Sequence, residues 1–163
     1  MGFTFKPLIK NPLLDGIKGF LHDFSCDWFL NHYKEFGFDN VIPEGTAEYF
    51  VLKKILNIQT YPDFFAIKNG KILKVEVESL LSHYWQMHPE NYADVVICFE
   101  IDQEPYKPTY SVIEVRRHLS AEEDRKIYRF LSHCLERWRR IIAWKLRHRE
   151  EVLKRFSEDM RMI

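Results

Sequence analysis

No stretch of this chain approaches the ~20 consecutive apolar residues of a membrane-spanning helix. The opening MGFTFKPLIKNPLL also lacks the continuous apolar segment and small-residue cleavage site of a secretion signal. Lys6 stands where a myristoylation signal after Gly2 needs Ser or Thr. Cysteine is sparse: Cys26, Cys98 and Cys134 are odd in number, far apart and outside any CxxC pair. That pattern argues against a disulfide frame or a cysteine zinc cluster and for reduced, buried thiols. The expectation is a cytoplasmic, intracellular protein with no membrane partner. Repeats, low-complexity tracts and linkers are missing. So is a helix-turn-helix or zinc module that would read bases directly. Net charge is missing too, since 24 Lys and Arg balance 24 Asp and Glu.

What is present suits one folded domain over residues 1–163. The apolar share of 46% supports a sizeable core, and 15% aromatic residues leave some rings for surfaces or interfaces. The balanced charge is unevenly spread. Residues 121–163 hold 12 Lys and Arg against 8 Asp and Glu, so a basic C-terminal arm follows an acidic body. Such an arm suits contact with nucleic acid, and equally suits a solvated helix face.

Periodicity predicts a helix over residues 13–36, where Leu14, Ile17, Phe20, Leu21, Phe24, Trp28 and Phe29 recur at helical spacing and Gly37 gives a stop. A second helix is expected over about 44–56, on the stripe Ala47, Phe50, Val51 and Ile55. Strands follow at about 60–68 and 71–78, joined by Asn69-Gly70, a strong hairpin signal because both residues accept positive φ. Residues 80–87 read as a short helix or an irregular crossover. ADVVICF (93–99) reads as a buried strand opened by Asp94, which would fix a loop or cap a strand end. Pro105 and Pro108 mark a turn, and 109–115 is strand-like. A helix from Ala121 to about Asp159 starts at the N-cap Ser120 with Glu122, Glu123 and Asp124 in its first turn. Its stripe runs Ile127, Leu131, Cys134, Trp138 and Ile141, then Ile142, Leu146, Leu153 and Phe156. At ~55–60 Å it exceeds the diameter of a domain this size. It must either break, near His148, or project and pack on a partner.

The chemistry concentrates in YPDFFAIKNGKILKVEVE (61–78). Alternation puts Glu76 and Glu78 on one strand face, and the hairpin can fold Asp63 back beside them. Converging carboxylates repel unless something positive sits among them, and oxygen ligands suit Mg²⁺ or Mn²⁺. The plainer alternative is that Glu76 and Glu78 form the solvent face of an edge strand.

Pro62-Asp63, Glu76-x-Glu78 and the following buried strand resemble the PD-(D/E)xK nuclease superfamily, the restriction-endonuclease-like fold, over residues 44–100. The run through Ser82, Tyr84, His88, Asp94, Cys98 and Phe99 resembles a subset with an E-x-E pair. The resemblance implies an α/β fold with an αβββαβ-type mixed sheet flanked by helices. Its core would span about 44–118, with an extra N-terminal helix and a long C-terminal helix. It implies Mg²⁺- or Mn²⁺-dependent hydrolysis of phosphodiester bonds in DNA. Asp63, Glu76 and the carbonyl of Val77 would hold the ion. Glu78 stands where the family has Lys, the residue that orients or polarises the attacking water. Glu78 itself would then act as general base, or a migrated basic residue would substitute, Lys74 ahead of His83. Glu48, with Glu44 as rival, would reach the ion or its water from the helix. Ser82 and His88 would support the site or face substrate. Arg116, Arg117, Arg137 and Arg140 would hold DNA phosphates without reading sequence. The apolar C-terminal helix points to a homodimer. The alternative is a degenerate nuclease fold that binds nucleic acid or a protein without turnover. A third reading is a structural dimer built on the long helix.

Overall fold

The computed structural model describes residues 12–103 and 108–161, except the side chains of 12–15, 138, 142, 145, 152–153 and 155–161. The expectations for Gly2, Lys6 and Pro105, and for the side chains of Leu14, Trp138, Ile142, Leu153 and Phe156, lie outside the described residues. The rest forms two compact units that meet in sequence between Leu119 and Ser120.

The first unit is a five-stranded mixed sheet flanked by helices. α1 (Pro12–His32) buries Leu21, Trp28 and Phe29. The chain then tightens into a 3₁₀ turn at Tyr33–Phe36, and Gly37 closes it at φ 79°, a left-handed position that suits glycine. The α-helix thus ends four residues earlier than the periodicity predicts. β1 (Asn40–Pro43) was not anticipated. It pairs antiparallel with β2 (Phe64–Lys68) at the sheet edge, where a strand tolerates proline. Between them lies α2 (Ala47–Ile55), capped by the Thr46 hydroxyl, which accepts from the Tyr49 N–H at 3.3 Å. Tyr49 is fully buried and its hydroxyl donates to the Pro62 carbonyl at 2.6 Å. That bond ties α2 to the residue before Asp63.

The Asn69-Gly70 turn forms as expected, both residues at positive φ, and β3 (Lys71–Leu80) returns antiparallel to β2. α3 (Leu81–Met87) follows directly, so the crossover is helical. β4 (Val95–Glu100) lies parallel to β3, and β5 (Ser111–Glu114) parallel to β4. The strand order is sequential and β3 is central. Val75 and Val77 on β3 face the α1 side, where Phe24 meets Phe99 and Phe29 meets Phe64. The opposite face carries Glu76 and Glu78 next to Val96 and Cys98, covered by Leu81, Tyr84 and Tyr110. Tyr49 of α2 packs on Phe65 on this same face.

The second unit is α4 (Ala121–Arg161), one unbroken helix of 41 residues and ~60 Å. It does not break at His148, whose ring stacks on Trp144. Ser120 and Glu123 form a reciprocal capping box: the Ser120 N–H donates to the Glu123 carboxylate at 2.7 Å, and the Glu123 N–H to the Ser120 hydroxyl at 3.2 Å. Among the described residues no helix is long and apolar enough to cross a membrane.

Tyr49→Phe keeps the packed ring and leaves the Pro62 carbonyl without its donor. Chemical denaturation should show a loss of about 1–2 kcal/mol. An unchanged midpoint would mean that this bond does not anchor α2.

Candidate functional site

β3 lies inside the sheet with both faces covered, although β2 flanks it only as far as Val75. Glu76 and Glu78 are therefore buried, each 7% exposed, which overturns the solvated-edge alternative. Two carboxylates seldom share an interior without partners. Glu76 shows the cost. Burial first, then the charges of Asp63 and Glu78, push its carboxyl up to about 8, while the Asp63 backbone N–H pulls the other way.

Asp63 sits in the gap where β2 has ended and β3 continues. Its N–H donates to Glu76 Oε2 at 3.3 Å, and its Oδ2 accepts from the Val77 N–H at 2.8 Å. The carboxylate thus pairs with β3 where the neighbouring strand no longer reaches. In a strand the N–H and C=O of one residue point to the same edge, so the Val77 carbonyl also faces this gap. Hydrogen bonds thus join Asp63 to Glu76 through its N–H and to Val77 through its carboxylate.

Three imidazoles surround the carboxylates. His22 of α1 places Nε2 3.6 Å from Asp63 Oδ2. Asp63 first, then the Cys26 sulfur 3.9 Å from Nδ1, push His22 up to about 11, so it is an imidazolium at neutral pH. His83 of α3 holds Nδ1 2.6 Å from Glu78 Oε2. His88, the residue that ends α3, places Nε2 3.4 Å from Glu76 Oε1 and 3.3 Å from Glu78 Oε1. Among the described residues, Glu76, Glu78 and His88 are the group whose donor atoms all lie within 4.8 Å of one another. This donor set shares only Glu76 with the expected Asp63, Glu76 and Val77, and has Glu78 and His88 in place of the other two.

Other expected residues are engaged elsewhere. The Lys74 ammonium donates to the Asn91 carbonyl at 3.1 Å, and the Lys74 N–H to Asp94 Oδ2 at 2.7 Å. Alternation puts Lys74 on the right face, but the loop before β4 takes up its charge. Asp94 fixes the strand start as expected. Ser82 gives both its N–H, at 3.0 Å, and its hydroxyl to Asp102, which marks it as a brace between α3 and the end of β4. Glu48 and Glu44 are exposed, and no described contact ties Glu48 to the carboxylates. Arg116 pairs with Glu100 at 3.0 Å and Arg117 with Glu114. On α4, Arg140 pairs with Glu136 at 2.8 Å, and Arg137 lines one groove with both of them and His133.

The residue missed from sequence is His22. It lies off the apolar stripe that defines α1 and 41 positions before Asp63. Only the packing of α1 on the sheet brings the two together.

The metal-free fold keeps a proton on Glu76 up to about pH 8, while the unfolded chain releases it near 4.5. The stability that goes with this proton is fully present below the lower value and is lost as pH rises through the upper one. Glu76→Gln is neutral throughout and avoids that loss. Without divalent cations, its Tm should match the wild type at pH 4 and exceed it by roughly 10 °C at pH 9. A difference independent of pH would place the proton elsewhere.

Comparison with family models, with curated proteins and with solved structures returned no match, so the reading of this site rests on its own geometry.

Proposed function

We propose that the chain is a metal-dependent nuclease that hydrolyses phosphodiester bonds in DNA, built on a restriction-endonuclease-like fold. The observation that carries this reading is the pair of buried carboxylates on the central strand, with His88 completing a donor set within 4.8 Å. The element order supports it. α1, expected as an extra N-terminal helix, serves here as the first helix of the core: with the antiparallel β1–β2–β3, α3 and the parallel β4 it gives an αβββαβ order that begins before residue 44, with α2 inserted and β5 added.

The residues fit a divalent cation. Two carboxyl groups and one imidazole converge in a buried pocket, and the charge that Glu76 resists in the free protein is the charge a cation would neutralise. Mg²⁺ or Mn²⁺, when bound, would supply Lewis-acid stabilisation of the phosphodiester and a more acidic water. Asp63 locks the β3 backbone through Val77 and orients Glu76 through its own N–H. Glu78 holds the Nδ1 side of His83, which leaves Nε2 of that ring to take the proton from water. His83 thereby stands in for the family's Lys, the role that Lys74 cannot serve while bonded to Asn91. Arg116, Arg117, Arg137 and Arg140 carry charge suited to phosphates, most of it already shared with neighbouring carboxylates. Tyr128, Leu135 and Leu146 are exposed on one side of α4, with Phe130, Ile141 and Trp144 on the opposite side, and this much apolar surface suits a homodimer. Cysteines without disulfide partners suit a cytoplasmic setting.

A second reading is a degenerate nuclease fold that binds nucleic acid or a protein without turnover. The engaged Lys74 and the Glu at position 78 favour it.

Purified chain with Mg²⁺ or Mn²⁺ should nick supercoiled plasmid. Glu76→Gln and Asp63→Ala should each slow nicking by a factor on the order of 10³. Metal binding without any nicking would select the second reading. Nicking unchanged in both variants would overturn the site.

A further inference from the structure

The three histidines around the carboxylates are not equivalent. His83 makes a committed bond to Glu78, 2.6 Å on one oxygen. Charge-assisted N–H···O bonds run at about 2.7–2.9 Å. His88 instead holds Nε2 at 3.4 and 3.3 Å from two oxygens of two different residues. An N–H shared between two oxygens at these distances makes at most a weak three-centre contact, and neither distance is that of a committed bond. The spacing has another explanation. Donor atoms ~2.1 Å from one ion, at tetrahedral to octahedral angles, lie ~3.0–3.4 Å apart. The separations of His88 Nε2 from both glutamates match that figure.

The remaining bonds hold these donors in place. Glu78 has its other oxygen on His83, and Glu76 has its other oxygen on the Asp63 N–H. Both glutamates therefore keep Oε1 turned toward His88. The His88 ring lies between Tyr84 and Tyr92, centroids 5.3 and 4.1 Å away. Those two rings are themselves pinned. The Tyr84 hydroxyl accepts from the Ala93 N–H, and the Tyr92 hydroxyl donates to the Tyr61 carbonyl, each at 3.1 Å. Outer contacts of this kind fix ligand orientation before an ion arrives.

We propose that Glu76, Glu78 and His88 form a carboxylate–carboxylate–imidazole site that selects a transition ion of the Mn²⁺, Co²⁺ and Zn²⁺ class over Mg²⁺, with His88 Nε2 as the nitrogen ligand. Mg²⁺ prefers an all-oxygen octahedron and keeps most of its water, whereas imidazole suits the borderline ions. The inference rests on the metal-dependent reading above and narrows it to a class of ion.

The test is calorimetric titration of the untagged full chain with Mg²⁺, Mn²⁺, Co²⁺ and Zn²⁺, for the wild type and His88→Gln. The transition ions should bind the wild type at least ~10-fold more tightly than Mg²⁺. His88→Gln should reduce that margin by ~10-fold or more, because the loss falls most heavily on the ions that favour imidazole. Nuclear magnetic resonance of the wild type gives a readout that does not depend on the variant folding: Zn²⁺ should shift the His88 Nε2 resonance at one equivalent. Equal affinity for Mg²⁺ and Zn²⁺, or an unmoved His88 resonance with Zn²⁺ bound, would overturn this inference and leave the metal-dependent reading standing. No ion binding at all would overturn both.

Discussion

The arrangement follows from one constraint: β3 is the central strand, and its side chains alternate. With Val75 and Val77 committed to α1, Glu76 and Glu78 have no position other than the covered face. Burial of two like charges then governs what surrounds them. Asp63 lends a backbone donor to one, His83 a ring nitrogen to the other, and His88 stands between them. The raised carboxyl of Glu76 shows that these partners do not fully offset the charge. Glu76, Glu78 and His88 in this condition could hold a cation.

The termination of β2 matters as much as the length of β3. β2 begins opposite Val75, and β3 continues to Leu80. Beyond that point one edge of β3 has no strand beside it. The Asp63 carboxylate takes the Val77 N–H that a strand would otherwise have taken, so a side chain doubles as a strand end. Tyr49, through the Pro62 carbonyl, holds the chain at this turning point.

Much of this was legible in the sequence where local chemistry decides structure. Asn69-Gly70 set the hairpin register, and with it the approach of Asp63 to Glu76 and Val77. ADVVICF could only be an inner strand, and Ser120 with Glu123 marked the start of α4. What escaped notice depends on distant packing. β1 is four residues ending in proline, too short to show a period of two, and exists because β2 offers an edge. His22 is invisible because helical periodicity reports the apolar face and says nothing of residues beside it. Lys74 obeys alternation, yet the Asn91 carbonyl captures its ammonium, and no strand pattern reports the loop that places that carbonyl. Ser82 reads as a site residue until Asp102, twenty positions away, is seen to occupy it.

Glu76, Glu78 and His88 come from one continuous piece of chain, the end of β3 and the whole of α3. Closing so short a loop costs little entropy, even in a disordered polypeptide. The unfolded chain therefore retains much of the means to chelate an ion. Since a ligand stabilises a fold only by its preference for the folded form, tight binding here would translate into modest protection against unfolding. Ion affinity and thermal resistance would be partly uncoupled in this protein.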